Sequence, residues 1–597
     1  MGEEIIENIK QVINEWLLVQ GVATPVVLLE RASVPEFGEY SSNVAMRYAK
    51  ELGKNPLDLA NDLIEFLHDK EVSGVEKIEA VKPGFLNVFL TNAAKLDHLA
   101  TIRALRDNFG KNTLYQSEKW VVEHTSPNPN KAMHLAHLRN NLIGSGIARL
   151  LQNAGAEVVT DAVYNNRGIA IAKVMYGYLA HMKQEANIPT DIAYWAEHQT
   201  EWFTPEEKGV KPDIFVTECY VLGERDCKEN EEINQLVRQM VVDWESGDVT
   251  TWKLWELMLE YAYAGINRTL FRLGSQWDNV WYEHEHYQKG KEYVERGLAE
   301  EKFVELVDGA VLTNLEADYG LPETILLKND GTSLYITQDI ALTDLKKKTY
   351  GADKLVWVIG PDQSMAMKQL FAVCEQLGIG KVSDFTHVPY GYVGLKDETG
   401  AFQKMSSRAG TVVLIDDVID MVKATIKARF ETEGKHDAET QELLAEKLAL
   451  AAIKFAFLKS DRGQSMSFDV EQSVDVHGDS GMYVMYAYVR TQSILRKAGA
   501  VGADPHTTPT QLGAEAGVVR TMLYYPEVIK KALADLSVHH VAQYLLELSG
   551  EFNSWYAQEI IIDGSEREAY KLAVVDAVAV TLKNGLALLG IETVDEI

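Results

Sequence analysis

WVVEHTSPNPNKAMHLAHLRNN, residues 120 to 141, decides how the chain is read. Trp120-Val121-Val122 is a short apolar run, which suits a strand buried on both faces of a parallel sheet. Ser126-Pro127-Asn128-Pro129-Asn130 can neither continue that strand nor open a helix cleanly, because each residue before a proline is pushed out of the helical region. Met133, Leu135, Leu138, Leu142 and Ile143 then recur at helical spacing. The stretch therefore predicts strand, tight loop and helix, with His134 and His137 three apart on one face of the first turns. Imidazole N–H donors beside free backbone N–H groups, at the positive end of a helix, make a site for an anion such as a phosphate. The residues alone leave two other readings open. One is a pair of ordinary surface histidines. The other is a pair of metal ligands, although a metal wants a third ligand and the zinc-binding HExxH pattern spaces its histidines four apart; Glu123, before the loop, leaves a metal possible but unsupported.

The rest of the chain supplies the setting. Its 597 residues exceed one core, and 46% hydrophobic content excludes disorder, so three or four domains are expected. Cys219, Cys227 and Cys374 show no CxxC spacing and are too few for a disulfide framework, which fits a reducing cytoplasm. The acidic, amphipathic start MGEEIIENIK is unlike a signal peptide, and no apolar run is long enough to span a membrane. A net charge of −30 means that any nucleic-acid contact must be a local basic track, since screening confines fields to about 10 Å.

Residues 1–110 read as a small α/β domain, with a helix over Glu4 to Val19, a second over Val44 to Glu51, and an edge strand after Lys82-Pro83-Gly84. Beyond the histidine helix, the run 156–163 predicts the next strand, and strand–helix alternation predicts a doubly wound parallel sheet with its site at the carboxyl ends of the strands. Gly144-Ser145-Gly146 lacks a third glycine and reads as close helix packing. Strand signals lapse from about 190 to 270. Between Glu201 and Asp248 there are 13 acidic and 5 basic residues, punctuated by tryptophans, which predicts a helical insertion with a solvated acidic face. The sheet is expected to resume at Glu323–Lys328, followed by the turn Asn329-Asp330-Gly331-Thr332 and a helix that puts Tyr335 and Asp339 on one face. A carboxylate beside an aromatic ring suits a planar guanidinium, and suits a helix cap equally well. Lys354–Gly360 predicts another buried strand. Lys404-Met405-Ser406-Ser407-Arg408 is a loop whose charges and hydroxyls suit a triphosphate. From Glu442 onward the pattern is helical, with Lys454 and Lys459 expected on an exposed face. Tyr483, Tyr486 and Arg490 form one helical stripe; such stripes are more often core, but this one offers stacking surfaces for splayed bases.

SPNPNKAMHLAHLRN resembles the HIGH region of class I aminoacyl-tRNA synthetases, and specifically of the arginyl-tRNA synthetases. Ala136 stands where that family has a glycine. Lys404-Met405-Ser406-Ser407 resembles the family's KMSKS loop, with Ser407 and Arg408 in place of its second lysine and last serine. GEYSSNVAMRYAK and PGFLNVFL look like its N-terminal domain, and the C-terminal region like its anticodon-binding helix bundle. The resemblance implies a Rossmann-like catalytic domain over 111–435, with the insertion at about 190–270, between an N-terminal tRNA-contacting domain (1–110) and a C-terminal helical domain (436–597). It also implies a cytoplasmic, monomeric arginine–tRNA ligase using ATP with Mg²⁺, with no metal site in the protein itself. In that reading His134, His137, Lys131 and Lys404 serve catalysis. Ala136, Asn140, Gly391, Val393, Met405, Ser406 and Ser407 hold ATP. Glu123, Asn128, Tyr335, Asp339 and Gln369 hold arginine, and Tyr483, Tyr486 and Arg490 meet tRNA(Arg). The rivals are a class I synthetase for another amino acid, which would want zinc ligands or an editing insertion, and a non-enzymatic tRNA-binding relative, which would not need an intact His134, His137 and Lys404.

Overall fold

The computed structural model describes residues 2–70, 72–396, 402–404, 413–433, 437–499 and 512–597. They group into two compact units, one of Asn112–Ser473 with Leu536–Val538, the other of Met1–Lys111, Val474–Asp535 and His539–Ile597.

The first unit is built on a five-stranded parallel sheet. Its elements are β1 (Lys119–Glu123), α1 (Leu135–Asn153), β2 (Glu157–Tyr164), β3 (Asn279–Tyr282), α2 (Tyr335–Tyr350), β4 (Lys354–Val358), α3 (Ser364–Gln376) and β5 (Phe385–Val388). The strand order is β5-β4-β1-β2-β3, with Val121 opposite Leu355 on one side and Val159 on the other. β1 is central because Trp120, Val121 and Val122 are buried and want cover on both faces. The chain winds outward from β1 through β2 to β3, then crosses back to β4 on its other flank. The connections leaving β1 and β4 therefore diverge and open a crevice at their carboxyl ends.

Three sequence expectations are corrected here. The third sheet strand is Asn279–Tyr282, in a region read as past the insertion but before the sheet resumed. The segment expected to resume the sheet, Thr324–Leu327, instead pairs antiparallel with Val311–Thr313 in a separate three-stranded sheet with Val304–Glu305. Ile325 is exposed while Leu326 is fully buried, the alternation of a strand wetted on one face. The region expected to be all helical also contains a strand among the described residues, Met466–Ser467, which pairs with Val393 and Gly394.

The insertion forms helices Ile192–Glu197, Pro212–Glu229, Glu231–Glu245 and Val249–Leu273. Trp195, Trp202, Trp244 and Trp255 lie in its core, while Glu206, Glu207, Glu229, Glu231, Glu232 and Glu245 face solvent. Gly144 of α1 lies against the His124 ring, which a Cβ would strike, so this glycine serves close packing. Lys454, expected to be exposed, is buried in the helix Ala438–Leu458, and Lys459 is half-buried, so this face is not an open basic track.

The second unit joins the N-terminal and C-terminal residues. Its antiparallel sheet runs Glu30–Arg31, Tyr40–Ser42, Phe85–Leu90, Val75–Val81 in spatial order. The helix after Asn43 ends at Tyr48, earlier than Glu51. Five helices, from Gly481–Ala498 to Glu568–Leu588, complete the unit, and Asp576 on the last of them pairs with Arg103 at 3.0 Å and Arg106 at 2.5 Å.

One buried side chain fixes α1 in the first unit. Arg139, fully buried, donates to the carbonyls of Gly391 (3.0 Å), Tyr392 (3.3 Å), Asp461 (3.3 Å), Arg462 (3.3 Å) and Gln464 (2.6 Å). Burial lowers its pKa to about 10, with Tyr390 and Asp461 offsetting only part of the cost. Arg139→Met should leave these carbonyls short of a donor and destabilise the unit by roughly 3–5 kcal/mol. Urea unfolding followed by tryptophan fluorescence would measure it; a loss below about 1 kcal/mol would mean that water replaces the guanidinium.

Candidate active site

The turn after β1 is a strained one held from α1. Thr125 adopts a left-handed backbone, φ 72°, rare for a β-branched residue. Asn140 Oδ1 accepts the Thr125 N–H at 2.6 Å, and Asn141 Nδ2 donates to the Thr125 hydroxyl at 3.1 Å. Asn140 Nδ2 also reaches the Val358 carbonyl at the end of β4 (2.8 Å) and the Tyr390 hydroxyl (3.2 Å). Asn140, expected to hold ATP, therefore uses its amide to tie together the two loops that diverge from β1 and β4.

The histidines cap α1. His134 is the N-cap residue, its Nδ1 accepting the Ala136 N–H at 3.3 Å, and His137 Nδ1 accepts the His134 N–H at 3.2 Å. The rings stack with centroids 4.0 Å apart. Since both Nδ1 atoms accept, each neutral ring carries its proton on Nε2. Burial, with Lys131 nearby, lowers His134 to about 4. Burial, His134 and Lys131 together push His137 well below the ordinary range. The pair thus offers uncharged Nε2–H donors at a positive helix end. Backbone bonds from Leu135 N–H to the Val413 carbonyl (3.3 Å) and from Ile415 N–H to the Met133 carbonyl (3.2 Å) join this capping segment to the chain that follows the basic loop.

A cavity of about 420 Å³ lies at the carboxyl ends of β1 and β4. Its walls bring together six of the expected site residues: Glu123, Asn128, His137, Asn140, Tyr335 and Asp339. Tyr335 is exposed at the start of α2. Asp339, one turn further on, lies on the cavity wall and is itself exposed through the opening. Desolvation of the carboxyl against that wall, with the nearby Glu123 charge, raises it to about 7. Its carboxylate makes no hydrogen bond or ion pair among the described residues. Beneath it lies a residue that sequence reasoning missed. Lys346, two turns along α2 and fully buried, donates to Glu123 Oε2 at 2.7 Å and to Asp161 Oδ1 at 2.9 Å. Against the burial that would strip its proton, these carboxylates raise Lys346 above its ordinary value. The remaining oxygens are also met, Glu123 Oε1 by the Ser126 hydroxyl at 3.1 Å and Asp161 Oδ2 by Trp281 Nε1 at 2.8 Å.

The other expected residues lie elsewhere. Lys131, His134 and Ala136 lie on the capping segment, off the cavity wall. Gly391 approaches the Gln464 backbone so closely that a Cβ would collide with it, and Val393 is buried in the short strand beside it. Lys404 ends the strand Phe402–Lys404, while Met405, Ser406 and Ser407 lie outside the described residues. Gln369 does not reach the cavity; its amide donates to the Pro322 carbonyl at 3.1 Å, and Gln363 stands on the wall instead. In the second unit Tyr483, Tyr486 and Arg490 are the half-buried stripe of an otherwise buried run, and Arg490 bonds Asn553 and lies 4.9 Å over the Tyr556 ring.

Comparison with known proteins agrees with this geometry. Residues 101–470 match the catalytic domain of class I tRNA synthetases (R), 3–90 the arginyl tRNA synthetase N-terminal domain, and 484–597 the DALR anticodon-binding domain. The chain is 34% identical to an arginine–tRNA ligase of Porphyromonas gingivalis, over 93% of each chain, and 32% identical to one of Bacteroides thetaiotaomicron, over 98% of each. Its fold is that of Thermus thermophilus arginyl-tRNA synthetase, with a TM-score of 0.82 at 24% identity, covering 99% of this chain and all of that one. A parallel sheet opening between β1 and β4, with paired histidines capping the following helix, is the catalytic domain of a class I aminoacyl-tRNA synthetase, and such a domain implies ATP use. Within that class the chain belongs to the arginyl-tRNA synthetases, the ligases that charge tRNA(Arg).

Lys346→Met should strand two buried carboxylates and destabilise the protein by roughly 3–5 kcal/mol at pH 8. In that variant the Asp161 carboxyl, which burial already raises, would lose the lowering effect of Lys346 and titrate further above its unfolded value, so its penalty is absent at low pH and grows as pH rises. The deficit against wild type should therefore shrink between pH 8 and pH 5, as read by urea unfolding; a deficit independent of pH would mean that water or rearrangement screens the pair.

Proposed function

We propose that the cavity holds L-arginine by its guanidinium and that the histidine cap holds the phosphates of ATP. The observation that carries this reading is the charge balance of the cavity. Lys346 already satisfies Glu123 and Asp161, whereas Asp339 faces the opening without a partner, so the pocket wants one more cation. A planar guanidinium with Tyr335 beside it fits that demand. Glu123 shapes the floor and adds negative potential. Asn128 holds the α-amino and carboxylate end, a role first read for Gln369 as well.

The substrate carboxylate then attacks the α-phosphorus in line and pyrophosphate departs. Little covalent chemistry falls to the protein, which positions the reactants and meets the developing charge. His134 and His137 donate from Nε2, and Lys131 and Lys404 add positive charge. Mg²⁺ accompanies the nucleotide and neutralises its phosphates. Ala136, Gly391 and Val393 shape the adenosine side, with Met405, Ser406 and Ser407 on the triphosphate, while Asn140 acts by bracing the loops. A ribose hydroxyl at the 3′ end of tRNA(Arg), the 2′-OH by family resemblance, attacks the arginyl carbonyl of the adenylate, the acyl–phosphate bond breaks, and AMP leaves. The enzyme works as a cytoplasmic monomer, with 1–110 and 436–597 contacting the tRNA.

Asp339 makes arginine binding sensitive to pH. Its carboxyl titrates at about 7 in the empty cavity, and a bound guanidinium favours the carboxylate. Binding at pH 6.5 should expel a proton, and affinity should fall as pH drops through 7, by up to tenfold per unit. Calorimetry in buffers of different ionisation enthalpy would detect the proton. Asp339→Asn should abolish this dependence and raise the arginine KM by two orders of magnitude or more, consistent with roughly 3–5 kcal/mol for a half-broken buried pair. An unchanged KM would remove Asp339 from the pocket.

For the RNA, Tyr486→Ala and Arg490→Ala should raise the KM for tRNA and leave that for ATP alone. A lost stacking platform costs about 1–3 kcal/mol. Arg490→Ala should also flatten the salt dependence by about one unit. A minihelix carrying only the acceptor stem should be charged by both variants as by wild type; equal losses on both substrates would assign the stripe to packing.

A further inference from the structure

The acidic helical insertion touches the nucleotide site at two places. Thr217, on the helix Pro212–Glu229, accepts the backbone N–H of Ala132 on its hydroxyl at 2.7 Å and passes its own proton to the Asp213 carbonyl at 2.7 Å. Ala132 is buried and lies between Lys131 and the His134 cap. Below it, Lys211 donates to Asp213 at 3.1 Å, to Thr269 and to Asp416 at 2.7 Å. Thr269 donates to the same Asp416 oxygen at 2.7 Å, and Arg272 reaches Asp416, Asp420 and Glu446. Asp213 is almost wholly buried. Asp416 follows directly on Val413–Ile415, the segment whose backbone bonds Met133 and Leu135. The contacts close a ring: Thr217 to Ala132, through the histidine cap to Val413–Ile415, then Asp416 to Lys211, and through Asp213 back to Thr217. Two segments of the nucleotide site thus share one support, and that support belongs to the insertion.

We propose that Thr217 and Lys211 are positioning residues for adenylate formation, through which the insertion sets the distance between the histidine cap and the chain that follows the basic loop. The inference rests on the reading that the cap serves ATP. Neither residue lies on the cavity wall, so arginine binding is not their concern. Removing the Thr217 hydroxyl leaves the Ala132 N–H buried without an acceptor, and the cap segment must shift to find one. Because the ring acts as a unit, breaking it at a second point costs little more than breaking it once.

The test uses full-length enzyme and arginine-dependent pyrophosphate exchange in the presence of tRNA, with arginine affinity measured separately by equilibrium dialysis. Arginine-dependent exchange that is strong in wild type and lost in His137→Ala secures the reading that the cap serves ATP; exchange that survives His137→Ala would sink that reading and the inference together. Thr217→Val should lower kcat/KM for ATP roughly tenfold, with arginine affinity unchanged, and Thr217→Ser should restore it. Lys211→Met should show the same pattern, and the double variant should lose less than the product of the two single losses. A surface change on the same insertion, Glu231→Gln, should do nothing. Unchanged exchange in Thr217→Val, equal failure of valine and serine, an equal loss of arginine affinity, or strictly multiplicative losses would overturn the proposal.

Discussion

Lys346 is the interaction on which the catalytic unit depends. Three elements converge on it: β1 brings Glu123, β2 brings Asp161, and α2 brings the lysine itself. None of these charges could be buried alone, since the desolvation of a single ion costs several kcal/mol. Together they lock the carboxyl ends of two neighbouring strands to the helix that also carries Tyr335 and Asp339. The register of the sheet is thereby transmitted to the pocket. Asp339 sits seven residues before Lys346, two turns along the same helix, so fixing the lysine fixes the aspartate over the opening.

Arg139 does for α1 what Lys346 does for α2. Its guanidinium gathers carbonyls from two separate segments, and only a planar fork with five donors can do so. With α1 held from its second turn, its N-terminal cap is left to His134 and His137, and the turn before it to Asn140. The strain at Thr125 is sustained because Asn140 and Asn141 grip the turn from that same helix. Polar side chains in α1 thus have structural duties that place the two histidines.

Local chemistry made much of this legible. The strand β1, the proline turn and the histidine helix followed from apolar runs, proline sterics and helical spacing, and Tyr335 and Asp339 were paired by a spacing of four. What escaped were features defined by distant partners. Asn279–Tyr282 is four half-buried residues, and its run Val280-Trp281-Tyr282 is no longer than the tryptophan-bearing stretches of the helical insertion before it. Thr324–Leu327 has strand character, but its choice of sheet is a tertiary fact. Lys346 stands in Lys346-Lys347-Lys348, which reads as a solvated basic run; only its spacing of seven from Asp339 hinted that one of the three turns inward. Lys454 misled for the same reason, since a lysine among alanines and phenylalanines can snorkel or be buried. Gln369 carried over by resemblance, yet its amide is spent on the Pro322 carbonyl.

The protonation states of the two halves of the site fit each other. His137 lines the same cavity as Asp339. A protonated imidazole there would repel a guanidinium, and in a cavity screened from water that repulsion would be far stronger than at the surface. Burial and Lys131 keep both histidines neutral, so in the proposed function they would donate to phosphate oxygens without adding positive charge beside the cavity. Asp339 is the converse case, a carboxylate whose charge is costly until a cation arrives. Under the proposed function each substrate would bring the charge that its half of the site lacks, and the empty protein would avoid holding strong opposing fields side by side. Where charge is permanent, at Lys346, it is balanced internally by two carboxylates and turned away from the opening.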